Sequence, residues 1–201
     1  GGKCANARPA GAAAGTNQTP RANLLAYDIT TGNLKTTWAP STDKQVLTVA
    51  ASPDGSRLYI GGEFTSVNGT PRYRVAALDA TTGALIASFH PVVSYKVNSI
   101  VATDTTVYLG GDFKTVNGVA RNNLAAVSAA NGALLGWNPG ADAEVKAMVM
   151  APAKDKIIVG GRFQNLAAGP AYGMAALNPV DGSMMTWNVG KDVRDAGTAA
   201  A

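Results

Sequence analysis

The sequence predicts an all-β repeat fold, and three observations predict it. The first is a segment that occurs three times, as Leu58-Tyr59-Ile60-Gly61-Gly62-Glu63-Phe64, Val107-Tyr108-Leu109-Gly110-Gly111-Asp112-Phe113 and Ile157-Ile158-Val159-Gly160-Gly161-Arg162-Phe163. Its first glycines stand at 61, 110 and 160, so the steps are 49 and 50 residues, a period that belongs to repeat architectures. The second is a hairpin pattern that occurs four times: an apolar run, a turn rich in Asp, Thr, Asn and Gly, a second short run, and an aromatic at its end. The third is a further apolar segment ahead of each glycine-pair strand, at Val46 to Ala51, Val97 to Ala102 and Val145 to Met150.

Each element has a physical reason. The hairpins read as Leu24 to Asp28 with Thr30-Thr31-Gly32 and Trp38, Val75 to Asp79 with Thr81-Thr82-Gly83 and Phe89, Leu124 to Ser128 with Asn131-Gly132 and Trp137, and Met174 to Asn178 with Asp181-Gly182 and Trp187. Asp and Asn bond their own backbone in turns and Gly accepts positive φ at no steric cost, so these residues reverse the chain. Ser52-Pro53-Asp54-Gly55, Thr103-Asp104 and Pro152 to Asp155 do the same between the other two strands. Each period therefore holds four short antiparallel strands of roughly 5–6 residues, with no helical periodicity between them. That is the blade of a β-propeller, and the chain has about four blades' worth of sequence.

The predicted divisions are the end of a blade at 1–38, blades at 41–89, 94–137 and 142–187, and the first strand of a further blade at 189–201. In residues 1–38, Gly1-Gly2-Lys3-Cys4 matches the glycine-pair motif with Cys4 in the place of Phe64. On that register the loop at 5–17 is enlarged by nine residues. Neither end carries an apolar second strand for a shared blade, which points to a window on a longer propeller; the alternative is a closed ring of four blades.

The composition of 201 residues, 46% hydrophobic, is that of a globular protein. No run approaches the roughly 18 apolar residues of a spanning helix. The first twenty residues lack a secretory signal pattern, so an export signal would lie outside this chain. Charged residues are only 15%, the net charge is +4, and Lys and Arg are scattered, which argues against nucleic acid and against membrane insertion.

Few residues suggest chemistry. His90 is the only histidine and Cys4 the only cysteine, so no triad with a second imidazole, multi-His metal site or internal disulfide can be built. Cys4 reads as a small buried hydrophobe, the alternative being a disulfide to a cysteine outside this chain. The glycine pairs lack the helix and Lys-Ser/Thr of a phosphate loop, so Gly61, Gly62, Gly110, Gly111, Gly160 and Gly161 read as places of close backbone approach. Phe64, Phe113, Phe163, Trp38, Phe89, Trp137 and Trp187 recur in register and read as packing between blades. Arg21, Arg72 and Arg121 recur too and imply a repeated structural hydrogen bond. Asp142 and Glu144 come nearest to a carboxylate pair, on one strand face, with nothing to complete an acid–base site. No catalytic, cofactor or metal residue is predicted. A ligand site would break the repeat, which makes the 5–17 loop, with Arg8, Pro9 and Asn17, the candidate recognition element. Two glycosylation sequons occur, Asn17-Gln18-Thr19 and Asn68-Gly69-Thr70.

The segment Gly61-Gly62-Glu63-Phe64-Thr65-Ser66-Val67-Asn68-Gly69-Thr70-Pro71-Arg72, repeated from Gly110 to Arg121 and followed by a hairpin, resembles the delta-60 repeat family of bacterial β-propellers. The resemblance covers essentially the whole chain. In the third repeat Ala168-Gly169 stands for Asn-Gly and Ala171 for Arg. The kelch repeat is similar in length and glycine pair, and the tryptophan-docking motif of quinoprotein propellers is similar to Ala26 to Gly32, but neither accounts for Phe-x-x-Val-Asn-Gly. The resemblance implies an exported module, in the manner of large, often actinobacterial, surface proteins. It implies a binding or structural platform for a protein or glycan, and no catalytic residues to carry over. Further domains of the same polypeptide, or self-association, would complete the propeller. The alternative is part of a propeller enzyme, a kelch-type oxidase or a quinoprotein, with its active site outside this chain.

Overall fold

The computed structural model describes residues 2–5 and 18–186. Arg8, Pro9 and Asn17 of the enlarged loop, Trp187, and the strand expected at 189–201 lie outside the described residues. All named elements are strands. The first two, β1 (Gly2–Ala5) and β2 (Gln18–Arg21), form an antiparallel pair. The first sheet follows, with β3 (Val46–Ala51) and β4 (Arg57–Gly62), a small outlying hairpin of β5 (Ser66–Val67) and β6 (Thr70–Pro71), and then β7 (Val75–Asp79). The second repeats it with β8 (Val97–Ala102), β9 (Thr106–Gly111), β10 (Thr115–Val116), β11 (Val119–Ala120) and β12 (Leu124–Ser128). The third has β13 (Val145–Met150), β14 (Ile157–Gly161), β15 (Asn165–Leu166), β16 (Gly169–Pro170), β17 (Met174–Leu177) and β18 (Met184–Met185).

The sheet orders are β3-β4-β7, β8-β9-β12 and β13-β14-β17-β18, all antiparallel. In the first two, the fourth strand is reduced to single bridges, Leu78 to Leu85 and Val127 to Leu134. The chain is thus all-β, with blades of a β-propeller laid side by side. Strand alternation divides each blade between two cores. Ile60, Ala76 and Leu78 face the core shared with Leu24 and Trp38, whereas Tyr59, Val75 and Ala77 face the core shared with the second sheet. In the second sheet Leu109 and Val127 face back to that core, and Tyr108, Leu124 and Ala126 face forward into a third. Phe64, Phe113 and Phe163 each enter a different one of these cores and are buried. Phe89 packs edge-on to Tyr59 at 5.1 Å, and Trp137 to Tyr108 at 5.0 Å, so each aromatic locks a junction.

The glycine pairs are where the chain has no room. A Cβ on Gly61 would stand 2.8 Å from Val97 Cγ1, and one on Gly110 2.9 Å from Val145 Cγ1, both on the next blade. A Cβ on Gly62, Gly111 or Gly161 would stand 2.2–2.3 Å from the backbone oxygen of Gln45, Lys96 or Glu144. The first glycine admits the neighbouring blade and the second admits the chain that leads into the blade's own inner strand. For Gly160 the one neighbour among the described residues is the Gly173 oxygen, at 3.9 Å.

Two register assignments from the sequence are corrected. Cys4 pairs with Thr19 as Val67 pairs with Thr70, so Cys4 takes the place of Val67 and not that of Phe64. Fourteen residues lie between Cys4 and Thr19 where two lie between Val67 and Thr70, making the loop longer by twelve, not nine. The match at Gly1-Gly2 rests on residue type alone; the ladder fixes the register. In the third blade the turn positions of Asn68-Gly69 and Asn117-Gly118 fall to Ala167-Ala168, with φ of 49° and 60°, not to Ala168-Gly169. Asn68 bonds Ser41 N through its side-chain oxygen and donates to Gly83 O; Asn117 does the same with Val92 N and Gly132 O. Ala167 can do neither, and both alanines sit in the left-handed region that costs an L-residue about 1–2 kcal/mol.

Two outcomes follow. Gly111→Ala drives a Cβ into a backbone carbonyl and is expected to lower stability by about 3 kcal/mol or more, while Gly136→Ala, whose Cβ meets nothing within 4 Å among the described residues, changes it by less than about 1 kcal/mol. Equal losses in urea unfolding would refute the close-approach account. Ala168→Gly is expected to raise stability by about 1 kcal/mol by relieving the turn, and an unchanged denaturation midpoint would show that no strain is held there.

Candidate functional site

The positions just described place side chains at the entry to each inner strand. Gln45, Lys96 and Glu144 are equivalent residues whose carbonyls lie over the second glycine and accept N–H from Glu63, Asp112 and Arg162 at 2.9, 3.1 and 2.8 Å. Their backbones are pinned alike while their side chains differ in charge. Directly beyond, each inner strand slips register once, between Val46 and Thr48, Val97 and Ser99, and Val145 and Ala147. These bulges leave Leu47, Asn98 and Lys146 outside the ladder and re-aim them.

At the junction of the second and third blades these residues meet. Glu144 is buried, with Lys96 Nζ at 3.0 Å from Oε1 and Lys146 Nζ at 2.8 Å from Oε2. Asn98 Nδ2 donates to Oε1 at 3.0 Å and to Val145 O at 2.8 Å, and Arg162 Nη1 lies 3.9 Å from Oε2. Burial alone would raise the carboxyl pKa, but the hydrogen bonds from Lys146, Lys96 and Asn98 outweigh it and hold the group down at about 2. Lys96 is pushed up, chiefly by its bond to Glu144. Beside it the half-exposed Tyr95 ring lies 5.9 Å from both Lys96 Nζ and Arg74 Cζ. Arg74 in turn donates to the Glu63 carbonyl. A polar and aromatic track therefore runs from the first blade to the third.

Asp142 and Glu144 do not form a pair on a strand face. Both precede β13, and Asp142 turns away to accept the N–H groups of Gln164 and Asn165 at 2.9 and 3.0 Å. Asp43 does the same for Thr65 and Ser66 on the first blade. Burial works against it, but these bonds hold its pKa at about 2. Arg21, Arg72 and Arg121 each reach a backbone carbonyl of the fourth-strand segment, Thr36, Ala87 and Leu135, at 3.0–3.2 Å. The Asn68 sequon is committed to its turn through both ends of the amide. His90 bonds Ser88 O through Nδ1 and borders a shallow depression of about 540 Å³ with Val92 and Asn131. At the end of the blades away from Glu144 a cleft of about 290 Å³ opens between the first two blades, where Arg57 and Tyr59 both donate to Ala129 O. Among the described residues no group of three or more His, Cys, Asp or Glu could hold a metal ion, and no helix is long and apolar enough to cross a membrane.

The Glu144 cluster is the one arrangement that sequence reading misses. A signal was available, since Lys96 and Glu144 occupy the same repeat position with opposite charge.

Residues 53–85 match the family model described as a domain of unknown function (DUF5122) beta-propeller, which is the delta-60 repeat type. That stretch takes in β4 to β7 of the first blade. No curated protein matches the chain.

The folded pKa of Glu144 lies below its unfolded value, so its stabilising contribution is complete above about pH 4.5 and is lost as pH falls towards 2. A loss on the order of 2 kcal/mol is expected over that window. Glu144→Gln should flatten this acid limb in urea unfolding; a variant with the same slope as the parent would show that Glu144 is not the titrating group.

Proposed function

We propose, with a β-propeller of the delta-60 repeat type as the premise, that this chain is a non-catalytic module of an exported protein. It serves as a rigid binding or structural platform at the cell surface or in an extracellular assembly. The observation that carries the reading is a contrast between positions. The residues that build the blades recur from repeat to repeat, as Gly-Gly, Phe and the glycines Gly32, Gly83, Gly132 and Gly182 of the large hairpins do. The residues at one end do not: Gln45, Lys96 and Glu144 differ, as do Leu47, Asn98 and Lys146, and Glu63, Asp112 and Arg162. A rigid scaffold whose glycine pairs and Phe recur while the side chains at this end change from blade to blade is suited to recognition. Tyr95, 51% exposed and flanked by two cations, is the aromatic anchor of that end.

The export is supported by the family resemblance, and the partner is a protein or a glycan. Screening the full chain on glycan and surface-protein arrays is the direct test. At least one ligand is expected whose binding falls about tenfold or more in Tyr95→Ala and is unchanged in Asp104→Ala at the opposite end. Binding lost equally in both variants, at unchanged melting temperature, would remove this end as the platform.

A further inference from the structure

We infer that the third blade's end of this platform binds the carboxylate groups of an acidic saccharide, an inference that rests on the platform reading above. Lys146 and Arg162 share one oxygen of Glu144, at 2.8 and 3.9 Å, and their side chains are 48% and 75% exposed while that of Glu144 is 8% exposed. The carboxylate is already satisfied by Lys96, Lys146 and Asn98. Arg162 is therefore the surplus cation, held near the cluster by charge yet without a close hydrogen bond to it. Among the described residues no acceptor bonds its guanidinium fork closely, so the fork can pair with both oxygens of an incoming carboxylate, and Lys146 beside it supplies a second positive charge.

The sign of this end also changes along the blades. Glu63 and Asp112 occupy on the first and second blades the place that Arg162 takes on the third. At that repeat position the side chain is acidic on the first two blades and cationic on the third, where Lys146 stands beside Arg162 and the charge of Glu144 is also met by Lys96, so an anion is drawn to the third. A simple anion would need no more. Tyr95, exposed and lying between Arg74 of the first blade and the Lys96 that bonds Glu144, adds a flat apolar ring on the approach to this cluster. Tyr172, 59% exposed, bonds Gln164 O through its backbone in the loop beyond Arg162. Rings of this kind suit the faces of pyranose units, and the combination of ring and fork selects a sugar that carries carboxylates.

The test is calorimetric titration of the full chain with a polygalacturonate oligosaccharide and with the same oligosaccharide fully methyl-esterified. The charged oligomer is expected to bind, and the capped one at least about tenfold more weakly. Arg162→Gln should lose about tenfold in affinity at an unchanged melting temperature, since it makes no close bond to the cluster, while Lys154→Gln in the turn after β13 should bind as the parent does. Equal binding of charged and capped oligomers, full affinity in Arg162→Gln, or binding of poly-glutamate in preference to both would overturn the assignment. If neither oligomer binds while a neutral glycan is captured through Tyr95, this inference fails and the platform reading stands.

Discussion

The constraint on which the rest depends is a contact that excludes even a methyl group: the backbone oxygen of Gln45, Lys96 or Glu144 over the second glycine of a pair. Any other residue would push the entering chain away from the sheet. With glycine there, the N–H of the next residue bonds that same oxygen, and the inner strand starts from a fixed point. One residue earlier, the first glycine lets the following blade press its Val97 or Val145 into the sheet. Two adjacent glycines thus set both the internal geometry of a blade and the spacing to its neighbour. The apolar alternation of β4, β9 and β14 then fills the cores on either side, and the Tyr59–Phe89 and Tyr108–Trp137 contacts close two of the junctions.

The same geometry makes the candidate site. The residue whose carbonyl is pinned has a side chain that is not, and the residue that follows the first strand position is bulged out of the ladder. Lys96, Asn98, Glu144 and Lys146 meet because two blades present these equivalent positions side by side. Burial of Glu144 is tolerable only because three donors converge on it, and the outermost cation, Arg162, stands 3.9 Å from it.

Much of the fold was legible in the sequence because it rests on residue types with few alternatives. Gly61-Gly62 and its copies, the Asp and Gly of the hairpin turns and the alternating strands each have a local cause that repeats. What was misread was register. Gly169 resembles the missing turn glycine, yet β15 and β16 pair so that Ala167-Ala168 make the turn. Gly1-Gly2 resembles the glycine pair, yet β1 pairs as the small hairpin does. Both errors come from matching letters where hydrogen-bond partners decide. The site was hidden for a related reason: Asp142 and Glu144 look like neighbours on one face, but neither is in the strand, and Glu144 finds its partners 48 residues away at Lys96 and just past the next strand at Arg162. Pattern within a strand says nothing about which blade end faces which.

The bulge at the start of each inner strand separates two demands that a regular strand would join. In a regular ladder, a residue that faces outward is fixed in its facing by its neighbours, and a change in one place is felt along the whole strand. Here one unpaired residue per blade stands outside the count. Leu47, Asn98 and Lys146 show it occupied by an aliphatic, an amide and a cation while the pairs on either side keep the same partners. Each blade therefore carries a position that can be rewritten without rewriting the sheet, and a row of blades becomes a short, editable text on a fixed page.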